Sequence, residues 1–354
     1  MLSSLEVDYF RCIERARLEF DPRVSAIVGA NASGKTSLLE AIYFLGHGRS
    51  FRVAQREKLI QTGRDSLRVV GRIQAGERCI VAGAEFAPDS SRLQLDGHVL
   101  TGHSEVAAIL PMQVIDPGVH RLIEEGSARR RRLLDWGVFH VKHDFLVAWR
   151  RYQRALRQRN AALRLGAPLS MVLAWDAELS ASSRVVDEQR QTYFELLRPL
   201  FREWAGELVG QGAELEYRRG WSDSVELAEV LAECRSRDLR LRMTSVGAHR
   251  ADLQFTIAGV PARDRISRGQ QKLLASAFVL AQVALHTARS ERRTCLLLDD
   301  PAAELDVDNL GKLLGALTRI PAQLIVTAVN EAGLRGLPVG RRFHVEQGRV
   351  QPML

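Results

Sequence analysis

The chain has 354 residues, enough to bury a large core and to hold two domains of ordinary size. With 46% hydrophobic and 26% charged residues it reads as an ordered globular protein. No run approaches the ~18 apolar residues that would span a bilayer, and the first twenty residues lack the basic start and apolar stretch of a secretory signal, so a cytoplasmic location is expected. The formal net charge of +8 points toward an anionic partner, with lysine confined to positions 35, 58, 142, 272 and 312 and arginine supplying the rest. Cys12, Cys79, Cys234 and Cys295 lie far apart without a CxxC pair, which argues against a zinc site and a disulfide scaffold and for reduced thiols.

In chain order, short strands are expected at residues 5–10, 24–28, 67–73, 79–86 and 93–95, the last followed by an Asp96-Gly97 turn. After the second of these comes Gly29-Ala30-Asn31-Ala32-Ser33-Gly34-Lys35-Thr36, which fits the phosphate-loop pattern G-x-x-x-x-G-K-[ST] at every fixed position, with Ser37 opening a helix over 37–45. Glycines let successive backbone N–H groups converge on phosphate oxygens, Lys35 reaches the β- and γ-phosphates, and the Thr36 hydroxyl ligates Mg²⁺. A nucleoside triphosphate is the ligand this arrangement predicts. Gln113, before Val114-Ile115, is a candidate for the glutamine that reports on Mg²⁺, a strand-end polar residue being the other account.

Near residue 120 the pattern changes. Arg129-Arg130-Arg131-Arg132 leads into helical periodicity over 139–165, with Trp149, Tyr152, Leu156 and Leu163 on one face and Arg150, Arg154, Arg157 and Arg164 on another. Gly166-Ala167-Pro168 breaks that helix. A second is expected over 171–197, with Val172, Leu179, Val186 and Tyr193 at heptad spacing, so that the two form an antiparallel hairpin. Strand-like segments resume at 214–217 and 253–257, which makes the helical block an insertion in an α/β head. His249 and Arg250, with Asp252, either face a ligand or make a strand-entry turn.

Further elements of a nucleotide site follow in order. Ile266-Ser267-Arg268-Gly269-Gln270 precedes an apolar helix running to about residue 288 and matches the [LI]-S-x-G-[QE] signature of ABC-type ATPases, in which a hydroxyl and free N–H groups at a helix start meet a γ-phosphate. The run from Cys295 to Leu298 ends in Asp299 and Asp300: Asp299 would hold Mg²⁺ and Asp300 would polarise the attacking water. Glu304-Leu305-Asp306 stands at the spacing of the D-loop, which crosses to the partner's site. The fold expected is α/β, an ABC-type, SMC-like P-loop head with an inserted α-helical arm. Residues 1–120 and 241–354 would form the head and residues 121–240 the arm, and paired phosphate loop and signature call for a homodimer with ATP.

Longer segments resemble the RecF family of bacterial recombination-repair ATPases over essentially the full chain. They are the phosphate loop with Glu40-Ala41-Ile42; Gly48-Arg49-Ser50-Phe51-Arg52; Arg130-Arg131-Arg132-Leu133-Leu134-Asp135-Trp136-Gly137-Val138-Phe139-His140; Gln158-Arg159-Asn160-Ala161; Gly247-Ala248-His249-Arg250-Ala251-Asp252-Leu253; and Ser267-Arg268-Gly269-Gln270-Gln271-Lys272. The resemblance implies an ATP-dependent DNA-binding protein of repair and replication. It would dimerise on DNA, hydrolyse ATP slowly, and work with RecR and RecO to load RecA at gaps coated with single-strand-binding protein, including those that provoke the SOS response. For the run holding Arg130 and Arg131 a solvated helix start is the ordinary account, and the resemblance favours a DNA- or nucleotide-facing role; the basic helix face of Arg150, Arg154 and Arg157 is a candidate DNA contact. Two departures from the wider ABC pattern favour a timed switch over a fast motor: Asp300 stands where Glu is common, and Thr327 stands where a switch histidine is common. The short arginine-striped hairpin fits neither a transporter subunit nor the very long coiled coils of SMC proteins.

Overall fold

A computed structural model of the protein describes residues 1–142 and 144–353. Residues 1–120 contribute β1 (Leu2–Phe10), β2 (Ile13–Glu19), β3 (Val24–Val28), α1 (Lys35–His47), β4 (Leu67–Ala75), β5 (Arg78–Ala87), β6 (Ser90–Leu95), β7 (His98–Leu100), α2 (Ser104–Ile109) and β8 (Met112–Ile115). From the middle of the chain come α3 (Arg121–Glu124), α4 (Ser127–Val141), α5 (Phe145–Leu165), α6 (Leu169–Leu173), α7 (Asp176–Val209), β9 (Ala213–Arg218), α8 (Leu227–Glu233), α9 (Arg235–Leu241), β10 (Asp252–Ile257) and β11 (Val260–Pro261). The remainder adds α10 (Arg268–Arg289), β12 (Cys295–Leu298), α11 (Val307–Arg319), β13 (Gln323–Ala328), β14 (Arg341–Glu346) and β15 (Arg349–Met353).

These elements fall into two compact units, one formed by residues 1–120 with 268–354 and the other by residues 121–267. The first holds two six-stranded sheets, ordered β2-β1-β4-β5-β6-β7 and β15-β14-β3-β13-β12-β8. In the second sheet β14, β3, β13, β12 and β8 run parallel, and β3, β12 and β13 are buried along their whole length, which is why they read as mainly apolar runs, broken only by Ser25, Gln323 and Thr327. The first sheet is antiparallel, and its strand β2 went unread in the sequence because charged residues alternate with its buried Ile13, Ala16 and Leu18. One apolar core joins both sheets to α1 through residues such as Leu5, Phe10, Ile27, Leu38, Ile42 and Ile325. Buried Gln323 ties the sheets together as well: its Oε1 accepts from the Leu2 N–H at 2.8 Å and its Nε2 donates to the Leu2 carbonyl at 2.7 Å.

In the second unit α5 packs along α7; of the residues expected on the apolar stripes, Tyr152, Leu156, Leu163, Val172, Leu179, Val186 and Tyr193 are buried and Trp149 is half-buried. Three expectations need correction. The periodic stretch over 139–165 is divided between α4, which ends at Val141, and α5, which starts at Phe145; position 143 lies outside the described residues. Helix α7 does not stop at residue 197 but carries Pro199 inside it and ends at Val209, because Phe201, Ala205 and Leu208 are completely buried beyond the proline. Finally, residues 241–267 cluster with the helical segment and not with the C-terminal part of the head, since β10 pairs with β9 from Asp252↔Arg218 to Ile257↔Ala213. No described helix is long and apolar enough to cross a membrane.

Candidate functional site

The parallel register brings the C-terminal ends of four strands into one row: Val28 lies opposite Ala328, and Leu298 lies between Val326 and Ile115. Open parallel sheets bind ligands at that edge, because the loops leaving it splay apart and the following helices point their N-termini at it. The phosphate loop leaves β3 and turns into α1. Gly29 has no room for a side chain, since a Cβ would strike the Val345 carbonyl oxygen, and Gly34 takes φ +118°, which disfavours any L side chain. Lys35 is 7% exposed and its Nζ donates to the loop's own carbonyls, Gly29 O at 2.6 Å and Ala30 O at 2.7 Å. Ala30, Asn31 and Ala32 form the exposed crest of the loop, whereas Ser33 and Ser37 are buried. Among the described residues the Ser33 Oγ is a buried hydroxyl without a hydrogen-bond partner.

Across from the loop stands Asp299, just past β12 and 7% exposed. Thr36 Oγ1 lies 2.8 Å from Asp299 Oδ1 and 3.1 Å from Oδ2. Thr327, fully buried on β13, donates its hydroxyl to Asp299 Oδ1 at 2.9 Å and accepts from the Asp300 N–H at 2.9 Å. Five residues named from the sequence therefore meet: Lys35, Thr36, Asp299, Asp300 and Thr327. Burial lowers the Lys35 ammonium pKa, against the pull of Asp300 and Asp299. Burial raises the Asp300 carboxyl, reinforced by the neighbouring Asp299 charge and opposed by Lys35 and Lys272. Such an array gathers closely spaced charge at the strand ends, where a polyanion and a divalent cation would complete it.

The other expected members have separate settings. Ser267, Arg268 and Gln270 are exposed at the start of α10, and a Cβ placed on half-buried Gly269 would come into van der Waals range of the Glu304 carbonyl. Asp306 caps α11, its Oδ1 accepting from the Asn309 N–H at 2.8 Å, so its carboxylate is committed to the helix start. Gln113 is not at the strand end: it is 3% exposed within β8, beside Leu296, and its Nε2 donates to Gln282 Oε1 of α10 at 3.1 Å. The residue that leaves the tip of β8 is Asp116, which the sequence reading passed over. Lys272 also escaped notice, although it is one of five lysines and adjoins the signature. It is 1% exposed, with Nζ donating to the Ala303 carbonyl.

In the unit of residues 121–267 the expected basic residues divide into two kinds. Arg130 and Arg131 do not present free guanidinium groups. Arg130 grips Asp252 with Nε at 2.8 Å and Nη2 at 3.0 Å and donates Nη1 to the Leu122 and Glu125 carbonyls, while Arg131 donates to Ser127 and to the Ala251 carbonyl. Both are clamps between α4 and the start of β10. Arg150, Arg154 and Arg157 are exposed along α5. His249 is enclosed, with Nδ1 2.7 Å from the Tyr152 hydroxyl and Nε2 3.0 Å from the Thr244 carbonyl, and burial lowers its pKa to about 4. The strand-entry account of that residue is the one the structure supports. Arg159 is fully buried between Asp176 and Asp238, each at 2.7 Å.

The chain matches the sequence model of the RecF/RecN/SMC N terminal domain over residues 1–347. It is 41% identical over 340 residues to the DNA replication and repair protein RecF of Pseudomonas putida (strain GB-1), covering 93% of this chain and 92% of that protein. To RecF of Shewanella sp. (strain W3-18-1) it is 38% identical over 354 residues, covering 99% and 98%. Among solved structures it superposes on the recombination mediator protein RecF-ATPrS of the RecFOR pathway with a TM-score of 0.88 at 25% identity, covering 100% of this chain and 98% of that one. An Smc head bound to the C-winged helix domain of ScpA gives a TM-score of 0.63 at 18% identity, covering 99% and 96%, which marks a shared fold. With the strand-end cluster, the ABC-type α/β head and full-length similarity in agreement, the chain belongs to the RecF family of DNA replication and repair proteins.

Proposed function

We propose that the chain is an ATP-driven switch that closes as a homodimer on DNA, hydrolyses ATP slowly, and, with RecR and RecO, promotes RecA assembly at single-strand gaps and the SOS response. The observation that carries this is the meeting of Lys35, Thr36, Asp299 and Thr327 at neighbouring strand ends. The carbonyls that now receive the Lys35 ammonium are the acceptors it would exchange for β- and γ-phosphate oxygens, and the orphan Ser33 hydroxyl faces the same loop. Thr36 Oγ1 and the Asp299 carboxylate offer hard oxygen donors side by side, a set that suits Mg²⁺, which when bound would neutralise phosphate charge. Asp300, half-buried with its pKa raised, is suited to take a proton from water.

Ser267 and Gln270, exposed at the start of α10, with half-buried Gly269 between them, would complete the cage around the partner's nucleotide, so that the γ-phosphate is the contact by which ATP favours the closed dimer. Asp306 would enter this interface through the helix it caps. DNA would be met by exposed Arg150, Arg154 and Arg157. The solved RecF structure with bound ATP at 24% identity is in keeping with the ligand assigned. Ultracentrifugation with a non-hydrolysable ATP analogue tests the reading: the wild-type chain should dimerise. Lys35→Ala should stay monomeric and bind ATP about 10–100-fold more weakly, the worth of a charge-assisted hydrogen bond. A monomer enclosing the triphosphate alone, or a variant that dimerises normally, would overturn it.

A further inference from the structure

Lys272 carries an argument beyond that site. Its side chain is 1% exposed, at the start of the second turn of α10, and its ammonium donates to the Ala303 carbonyl. The carboxylates of Glu304, Asp300, Asp116 and Asp299 act on it from the surrounding loops. The turn it grips joins Asp300 to Asp306 and is held in an unfavourable shape, with left-handed φ of +44° at Asp300 and +65° at Glu304. The backbone bonds within the turn are short-range, from Ala303 N to Asp300 O at 3.0 Å and from Leu305 N to Ala302 O at 3.5 Å, and at its start the Asp300 N–H donates to Thr327 Oγ1 at 2.9 Å. Gly269 lies close to the same turn: a Cβ at its position would come within 3.9 Å of the Glu304 carbonyl oxygen and 4.0 Å of the Leu305 side chain.

We propose that Lys272 is a positioning residue that fastens the signature end of α10 to the turn carrying Asp300 and Asp306. This rests on the reading of the site given above. In a closed dimer the signature serves the partner's nucleotide and Asp300 serves the protomer's own. A rigid tie between the two therefore makes each site register whether the other is closed. An apolar side chain of similar length would leave the Ala303 carbonyl unpartnered and the surrounding carboxylates uncompensated, and the strained turn would relax.

Lys272→Met and Lys272→Arg in the full chain decide the matter by two readouts. Hydrogen–deuterium exchange of the nucleotide-free protein should show peptides over residues 300–306 exchanging faster in the Met variant by about tenfold or more, with α5 peptides unchanged as an internal reference. Turnover should fall about 100-fold with KM nearly constant, since the turn would place Asp300 wrongly without touching ATP binding. The Arg variant, which keeps a donor at similar reach, should restore both. Unchanged exchange and kcat in the Met variant, or an Arg variant as impaired as Met, would overturn the proposal. Should the Met variant fail to fold, the Arg variant decides alone, with wild-type exchange and kcat supporting the tie and losses in both refuting it. A wild-type chain without ATP turnover would sink the ATPase reading, and the exchange result would still judge the clamp.

Discussion

In the unit formed by residues 1–120 and 268–354, acidic and basic side chains gather where parallel strands end: Lys35 leans on loop carbonyls, Thr36 and Thr327 converge on Asp299, and Asp300 stands half-buried beside them. In residues 121–267 the enclosed arginines are instead matched one by one. Arg130 meets Asp252, Arg159 meets Asp176 and Asp238, and Arg190 meets Asp135 with both forks at 2.8 and 3.0 Å. The first arrangement crowds like charges in a way that a bound polyanion and cation would relieve. The second is closed upon itself and contributes to holding the helices in place. Charge type and position in the sequence do not distinguish the two; the partners do.

The sharpest way to break this contrast is Asp300→Asn. If the strand-end charges do chemistry, turnover should drop by about 10²–10⁴-fold, the range for losing a general base, while ATP still binds and the dimer becomes long-lived. Wild-type turnover measured in a phosphate-release assay would move the catalytic role elsewhere. Next in size is Arg159→Met. It strands the fully buried Asp238 and should cost about 3–5 kcal/mol of stability in thermal unfolding, with ATP affinity unaltered. A variant as stable as wild type would show that the network is incidental. The smallest effect sharpens the division within the second unit. Replacing exposed Arg150, Arg154 and Arg157 with Gln should reduce the salt dependence of DNA affinity by up to ~0.9 in slope per lost phosphate contact. Arg130→Gln should lower the melting temperature and leave that slope alone, because its guanidinium is committed to Asp252. Equal slopes for wild type and the triple variant would remove this face of α5 from the DNA contact.

Local spacing sufficed for the phosphate loop, the signature, the two aspartates after β12 and the apolar stripes of the hairpin, since each is encoded within a few helical turns or one strand and its exit. Gln113 and Lys272 show where that kind of reading stops. Gln113 precedes an apolar pair much as a strand-exit residue would, yet the register of β8 against β12 places it level with Leu296 and inside the unit. Lys272 closes the signature segment with no partner legible nearby in the sequence, and the fold brings a carbonyl from residue 303 onto its ammonium. Similarly, Arg130 and Arg131 belong to a basic run that resembles a solvated or DNA-facing patch, and only the return of residues 251–252 to α4 turns them inward.

By itself, then, the order of residues determined the triphosphate-type loop, the ABC-type head, the inserted hairpin and the family, because periodicity and motif spacing are properties of neighbouring positions. Tertiary structure alone decided which of the many arginines are already paired, which strand ends align, and that a lysine after the signature donates to the turn beyond Asp299 and Asp300. Those facts depend on contacts between segments distant in the chain, such as Thr36 with Asp299 and Arg130 with Asp252, and no local pattern encodes the partner of a charge.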